Sequence, residues 1–242
     1  MTVDDSPTHA LPVTIRGRAW PDYQVVALLL LLALLPYANT LTAGFVYDDF
    51  PQVVDNPYIL SFSHLREIFF SNVWSFQGAQ GTTNYYRPIM TLGYLLCFKV
   101  FGLLPFGFHL ANILLHTSVV CLLFFLTRRL FQSASLALLS AALFALHPIH
   151  TESVAWIAGV TDLELTLFYL LAFWAYVRFA NLPPRKAPLR FSLLLILFAL
   201  ALLSKEQALT LPLLATFYEH YLREDRDTTS FRLKVRRYAP LW

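Results

Sequence analysis

The stretch YQVVALLLLLALLPYANTL, residues 23–41, decides the fold class of this chain. It contains no charged side chain, and it is about as long as the ~20 apolar residues that a helix needs to cross the hydrocarbon core of a bilayer. No small-residue cleavage site follows it, and it continues past the length of a signal-peptide core, which predicts a retained signal anchor. The chain is therefore expected to enter a membrane close to its N-terminus.

The composition of the whole chain agrees with a membrane location. Hydrophobic residues make up 57% of the 242 residues and charged residues 14%, whereas soluble domains usually have about 25% charged residues. The formal net charge of +3 comes from Lys and Arg that lie between the apolar segments. Such a distribution indicates membrane topology, and no nucleic-acid partner is expected. The two cysteines, Cys97 and Cys121, lie inside apolar runs without a metal-binding or redox spacing.

Six segments are apolar enough to span the membrane, which predicts an all-α, polytopic integral membrane protein with about six transmembrane helices. The segments are about 23–41, 107–127, 133–147, 163–180, 191–204 and 207–222. A seventh run, 88–104, contains Lys99, so it either spans or lies along the surface. With a cytoplasmic N-terminus, fourteen Lys and Arg lie inside if 88–104 does not span, and three if it does. The positive-inside rule favours the first topology, with 88–104 as a juxtamembrane or re-entrant helix on the outer side.

This topology divides the chain into three parts. Residues 1–22 are predicted to be a cytoplasmic N-terminal segment, and residues 23–222 a transmembrane domain with an outer loop at 42–106. Residues 223–242 are predicted to be a basic cytoplasmic segment that leads into a further helix. The chain is therefore expected to be the amino-terminal piece of a longer protein.

The outer loop begins with two adjacent aspartates in FVYDDFPQVVDNPYI, residues 45–59. The apolar stripe of 63–74 predicts a helix lying in the membrane interface, which would hold this loop close to the headgroups. Asp48 and Asp49 emerge from apolar surroundings, where a carboxylate is positioned to accept a proton. The alternative is that they are solvated acids that cap a short helix. The first interpretation is favoured and makes both aspartates candidate catalytic residues.

Two basic residues on the predicted outer side are candidates for binding a phosphate. Arg87, in NYYRP, directly precedes a proline, and its guanidinium suits a phosphate at headgroup depth. The alternative for Arg87 is an interfacial anchor. Lys205, in LLSKEQ, lies between two apolar segments, where an ionisable group is costly unless it is paired or used. Lys205 therefore either contacts phosphate or neutralises the adjacent Glu206.

The segment HPIHTE, residues 147–152, adds His147, His150 and Glu152. Pro148 interrupts regular helix geometry, and a third strong ligand would have to come from elsewhere, so a zinc site is not favoured. A polar loop that contacts substrate or orients a carboxylate is expected, with a helix-end cap as the alternative.

The remaining polar residues of the apolar segments have simpler explanations. Asp162 begins a predicted span, where negative charge suits a helix N-terminus; it lies on the predicted outer face with Glu206, and both are kept as substrate-site candidates. His109 and His116 are seven residues apart, so they share a helix face, and packing is expected for them. The sequence indicates no metal site and no cofactor, and a divalent metal stays an open alternative.

Several motifs, in order along the chain, resemble the membrane domain of the transmembrane and tetratricopeptide-repeat-containing O-mannosyltransferases and their bacterial relatives, within the GT-C superfamily. The motifs are FVYDDFPQVVDNPYI, YYRPIMTLGYLLCFKVFGLLPFGFHLANILLHT, LFALHPIHTESVAWIAG with the following TDLELTLFYLLAF, and LALLSKEQALTLPLL. The resemblance covers about residues 23–222. It implies a helical membrane enzyme with its active site on one face of the membrane.

The resemblance implies a glycosyltransferase that moves a sugar, mannose in the best-known relatives, from a polyprenyl-phosphate donor to a hydroxyl acceptor such as protein Ser or Thr. Asp48, with Asp49 beside it, would be the base, and Arg87 or Lys205 would stabilise the departing phosphate. The membrane would be the plasma membrane of a bacterium or the endoplasmic reticulum of a eukaryote, with the active face outside or luminal. Family members continue into more membrane helices and repeats, so this chain is expected to be an incomplete enzyme.

Two other classes of function stay open at this point. A transporter or flippase of lipid-linked intermediates also needs polar groups at membrane depth, but near the bilayer midplane, whereas the polar residues here gather at one interface. A noncatalytic membrane-assembly partner would keep its function after Asp48→Asn. The expected partners are the lipid-linked sugar donor, the hydroxyl acceptor and membrane lipids.

Overall fold

The computed structural model describes residues 13–15, 18–81, 84–179 and 187–242, which form helices joined by turns and irregular segments, with one short hairpin. The hairpin pairs β1 (Val13–Ile15) with β2 (Arg18–Trp20) in antiparallel register. The α-helices are α1 (Asp22–Leu34), α2 (Leu65–Phe70), α3 (Pro88–Phe101), α4 (Pro105–Phe131), α5 (Ala134–Leu146), α6 (Thr151–Ala155), α7 (Val160–Phe179), α8 (Ala187–Ser204), α9 (Leu211–Phe217) and α10 (Phe231–Tyr238). The predicted helical class is confirmed, and the hairpin is an addition to it. Much of the predicted segment 1–22, namely residues 1–12, 16 and 17, lies outside the described residues.

Short 3-10 and π-helical segments join or extend many of these helices. The 3-10 segments are Leu35–Thr42, Pro57–Leu60, Phe62–His64, Ser75–Gly81, Pro148–His150, Ile157–Gly159, Glu206–Thr210 and Ala239–Leu241, and the π-helical segments are Phe50–Val54 and Tyr218–Leu222. Several of them carry a proline in their first turn, where its fixed φ and missing N–H are tolerated. The polypeptide therefore changes direction often at the end of the bundle that carries the outer loop.

The predicted count of six spans is not confirmed. Within the described ranges, three helical stretches are long and apolar enough to cross a membrane, namely Asp22–Thr42, Pro105–Phe131 and Ile157–Arg178. A fourth span results if α5 and Pro148–Ala155, which are bent by 49°, are counted as one. The predicted spans 191–204 and 207–222 are helical, but the apolar part of α8 is short and α9 has only 7 residues. Hydropathy thus detected the apolar composition of these two segments but not the short length of their regular helices.

The segment 88–104 forms α3, a helix of 14 residues. At about 1.5 Å per residue it is about 21 Å long, which is shorter than the ~30 Å hydrocarbon core. Gly102, with a φ of 61°, ends it and allows the sharp turn into α4. The helix predicted over 63–74 is also shorter than expected, because the backbone becomes extended at Ser71, directly after α2.

Helices α1 and α5 pack closely because one face of α5 consists of small side chains. This face contacts buried Val25 and Leu29 of α1 in a common core. Its members are Ala134, Ala137, Ala141 and Ala145. Small side chains let helix backbones approach each other, as is usual in membranes. On the other side of α5, Leu139 and Leu143 are 57% and 61% exposed, which suits contact with lipid.

An ion pair at one end of the bundle defines the direction of two long helices. Arg128, near the end of α4, lies 2.6 Å from Asp22, the first residue of α1. The two helices are therefore antiparallel, and the other end of the bundle carries the end of α1, the start of α4 and the outer loop. The outer loop is packed against the bundle there through a buried core that includes Val53, Ile59 and Met90.

Candidate functional site

A polar cleft of about 320 Å³ lies where the outer loop meets the starts of α3 and α7. Its lining comes from the loop before α3, the start of α3, the α6–α7 region and the residue that follows α8. Five of the residues singled out in the sequence line it, namely Asp48, Arg87, Glu152, Asp162 and Lys205. The aromatic side chains of its lining are Trp74, Tyr85 and Trp156. Folding thus brings together candidate residues from four separate parts of the chain.

The two adjacent aspartates have different environments. Asp48 is half-buried and lines the cleft. Asp49 is fully buried: its Oδ2 accepts a hydrogen bond from the N–H of Val46, and its Oδ1 accepts one from the N–H of Ala158, each at 2.9 Å. Tyr47, with a φ of 47° that is uncommon for a residue other than glycine, begins this turn. Asp49 therefore ties the outer loop to the connection before α7, and of the two adjacent aspartates only Asp48 lines the cleft.

The protonation of Asp49 reflects two opposing effects. Burial raises the pKa of its carboxyl above the ordinary value, because the charged form loses hydration. The backbone N–H groups of Val46 and Ala158 lower this pKa in part, since they donate to the charged form. The result is a buried carboxyl whose hydrogen bonds offset much of the cost of its burial, which is the environment of a group that holds structure together.

Each of the two cations of the cleft has an acidic neighbour. Lys205 Nζ lies 2.5 Å from Asp162 Oδ1, whereas Arg87 Nη2 lies 4.0 Å from Glu206 Oε2. The guanidinium of Arg87 is also 4.7 Å from the ring centre of Tyr85. Its buried Nε has no hydrogen-bond partner within the described part of the chain. Lys205 therefore does not neutralise Glu206, and Arg87 keeps donor capacity for a ligand.

His147 and His150 do not line the cleft. His147 Nδ1 accepts a hydrogen bond from the N–H of Ile149 at 3.2 Å, so this residue caps the turn between α5 and α6. The ring of His150 lies 4.0 Å from that of Phe144 and 5.7 Å from that of buried His116. Both histidines thus belong to the packing of this turn. No group of three His, Cys, Asp or Glu in the described ranges is arranged to hold a metal ion.

Two buried residues that the sequence reasoning missed support the α6–α7 connection. Asn112 of α4 donates from Nδ2 to the carbonyl oxygen of Trp156 at 2.9 Å. The hydroxyl of Tyr94 of α3 donates to the carbonyl oxygen of Ile157 at 3.4 Å. Together with Asp49, these side chains bind three consecutive residues of the connection from three different elements. The sequence signal for Asn112 was an amide in the middle of an apolar segment, which is favourable only with a partner.

Comparison with known proteins identifies similar chains. Residues 88–233 match the dolichyl-phosphate-mannose-protein mannosyltransferase family. The chain is 40% identical to protein O-mannosyl-transferase tmtc2 of Xenopus laevis over 148 residues, which are 61% of this chain and 18% of the relative. It is 35% identical to protein O-mannosyl-transferase TMTC1 of Homo sapiens over 209 residues, 82% of this chain and 24% of the relative. The chain thus spans about a fifth to a quarter of these relatives. No solved structure matches it.

Proposed function

The chain belongs to the dolichyl-phosphate-mannose-protein mannosyltransferase family, and on that premise we propose that its complete gene product transfers a sugar from a polyprenyl-phosphate donor to a hydroxyl acceptor. The observation that carries the proposal is the cleft, in which the carboxylate of Asp48 and the cations Arg87 and Lys205 line one cavity. The similar proteins are named protein O-mannosyl-transferases. Mannose is therefore the proposed sugar, and a protein Ser or Thr hydroxyl the proposed acceptor.

The proposed reaction needs a base and a site for the departing phosphate. The bond between the anomeric carbon of the sugar and the phosphate oxygen breaks, and the acceptor oxygen bonds to that carbon. The proton of the acceptor hydroxyl passes to Asp48. The electron pair of the broken bond stays on the phosphate oxygen, and the added negative charge is stabilised by Arg87 and Lys205.

The two cations of the cleft are held differently by their acidic neighbours, so they have different parts in the proposed binding of phosphate. Lys205 is held at 2.5 Å by Asp162, so the protein itself sets the position of its ammonium. Arg87 lies 4.0 Å from Glu206, whose side chain is 70% exposed, and such a loose pair in water contributes little. Arg87 is therefore proposed as the first contact of the phosphate, because its guanidinium gives up little when a phosphate replaces Glu206.

We place the cleft on the outer or luminal face of the membrane, with the N-terminus in the cytoplasm. The distribution of Lys and Arg between the apolar segments supports this orientation. The pair between Arg128 and Asp22, at the end of the bundle remote from the cleft, is consistent with it. The proposed membrane is the plasma membrane in a bacterium and the endoplasmic reticulum in a eukaryote.

The decisive experiment compares Asp48→Asn with Asp55→Asn in the complete gene product. Asp55 is an exposed acid of the same loop that does not line the cleft, so it controls for loss of a negative charge. Transfer of labelled sugar from polyprenyl-phosphate donors is measured in isolated membranes. Loss of the base should lower the rate about 10²–10⁴-fold for Asp48→Asn, and Asp55→Asn should retain the wild-type rate.

Two results would contradict the proposal. Equal rates for wild type and Asp48→Asn would move the base to another residue. Absence of transfer from every donor, combined with movement of the lipid-linked sugar across the membrane, would instead favour a transporter.

A further inference from the structure

A second cavity of the bundle is a groove of about 580 Å³ between α4, α7 and α8. This volume falls within the range of about 300–1,000 Å³ that is typical of ligand sites. Its lining is apolar apart from one cation, Arg178. Phe125, Trp174 and Leu197 represent the three helices in the lining. A site of this composition suits a ligand with a long apolar part and a single anionic group.

The charged end of the groove lies far from the cleft. Arg178 is in the last turn of α7, whereas Asp162 of the cleft is in the first turn of the same helix. Their separation of 16 positions corresponds to about 24 Å along a helix at about 1.5 Å per residue. Among the residues that the structure describes, none lines both cavities. A molecule bound in the groove with its charge at Arg178 is therefore separate from the proposed reaction.

One end of the groove carries a cation, Arg178. Its side chain is exposed, and it lies in the last turn of α7, where the bundle ends. The neighbouring pocket at this end contains Arg129 together with the acidic Glu224 and Asp225, so the charge that faces the groove itself is that of Arg178. An anionic headgroup at this end meets complementary charge at that residue.

We propose that this groove binds one anionic glycerophospholipid of the adjacent leaflet. One acyl chain lies along Phe125, Trp174 and Leu197, where burial of its apolar surface stabilises the complex. The phosphate lies at Arg178, whose planar guanidinium donates two parallel hydrogen bonds to phosphate oxygens. Trp174 is one turn from Arg178, and tryptophan favours the headgroup level of a membrane. The lipid thereby connects α4 to α8 along α7.

The test measures which lipids the purified complete gene product retains. The protein is reconstituted in vesicles of phosphatidylcholine with phosphatidylglycerol, extracted in mild detergent and analysed by native mass spectrometry. The wild type should retain one phosphatidylglycerol in preference to phosphatidylcholine. Arg178→Gln should weaken this preference about five-fold, which is the effect of one basic side chain near anionic lipid. Arg226→Gln, which removes a partly exposed charge outside the groove, should leave it unchanged.

A second variant tests the apolar part of the groove independently of the charge of Arg178. Ala175→Phe adds a large side chain to the lining while Arg178 stays in place, and it should abolish retention of the lipid. Unchanged retention in both groove variants would overturn the proposal, as would retention of polyprenyl phosphate in place of phosphatidylglycerol when the vesicles contain both lipids. Protection of a Cys at position 175 from labelling in lipid-free protein would do the same, because another segment would then fill the groove. The readout is lipid retention, so it does not depend on sugar transfer.

Discussion

Gly159 lies where the connection before α7 passes over the backbone of α6, and Gly159→Ala tests how rigidly this side of the cleft is held. A Cβ at this position would lie 2.8 Å from the carbonyl oxygen of Glu152 and 2.8 Å from the Cα of Ser153. Both are backbone atoms, so they cannot rotate away as the end of a side chain can. The preceding residue, Ala158, donates its N–H to Asp49. A movement of the turn therefore stretches that hydrogen bond.

The expected loss of stability follows from two contributions. Ordinary contact begins at 3.4 Å, so the turn has to move by about 0.6 Å, and overpacking of this kind costs about 1–3 kcal/mol. A buried hydrogen bond to a carboxylate contributes about 1.5–3 kcal/mol to stability, and stretching it removes part of that contribution. We expect Gly159→Ala to lower the free energy of unfolding by about 2–4 kcal/mol. At about 2–4 °C per kcal/mol, this lowers the unfolding midpoint by about 4–16 °C.

The assay is thermal unfolding of the purified protein in detergent, followed by tryptophan fluorescence. Gly44→Ala is the matched control, because a Cβ at Gly44 would meet no atom within 4 Å. The control should unfold at the temperature of the wild type. A midpoint for Gly159→Ala within about 2 °C of the control would show that the turn relaxes at little cost, and it would refute the view that α6 and Asp49 hold this connection rigidly.

Two further predictions concern the charged residues at the other end of the bundle. Glu219 is fully buried and accepts hydrogen bonds from Arg223 at 3.4 Å and Arg237 at 3.0 Å. Glu219→Gln should lower the free energy of unfolding in denaturant by about 3–5 kcal/mol, whereas Glu224→Gln, at an exposed site, should lower it little. Equal losses for the two variants would argue against a stabilising contact between Glu219 and the two arginines. The hydrogen bond from Arg223 lowers the pKa of Asp225 in the folded protein. The Asp225 carboxylate therefore stabilises the fold fully above its ordinary pKa of about 3.9, and this stabilisation is lost as the pH falls through the lowered pKa of the folded state. The midpoint difference between wild type and Asp225→Asn should therefore disappear in strong acid, and a difference that grows there would contradict this sign.

Five charged residues of the cleft were predictable from the sequence, but their pairing was not. For Lys205 the sequence left two alternatives open, a phosphate contact or neutralisation of Glu206, its neighbour in the chain. The backbone at Lys205 is extended, with φ −162° and ψ 144°, and successive side chains of an extended chain point in opposite directions. Lys205 instead meets Asp162, which is 43 positions away. Contacts over such distances depend on how helices pack, and this information is absent from local patterns.

The number of spans also shows a difference between what the sequence predicts and what the tertiary structure decides. Hydropathy located apolar segments at 133–147 and 207–222, and the structure is helical there, but hydropathy averages over a window and does not register a change in direction. Pro148 begins a segment bent by 49° from α5, and 206–222 is divided into 3-10, α and π-helical parts. The apolar composition of a segment therefore overestimates the length of straight helix that it forms.

The sequence by itself determined the helical membrane class and identified five of the charged residues that line the cleft. These features depend on composition and on the period of the α-helix, which any local window contains. Only the tertiary structure decided that Asp48 lines the cleft while Asp49 is buried behind it, and that Asn112 supports the connection at Trp156. Adjacent residues of equal charge have the same local pattern, so their roles are set by the distant backbone groups that fold against one of them.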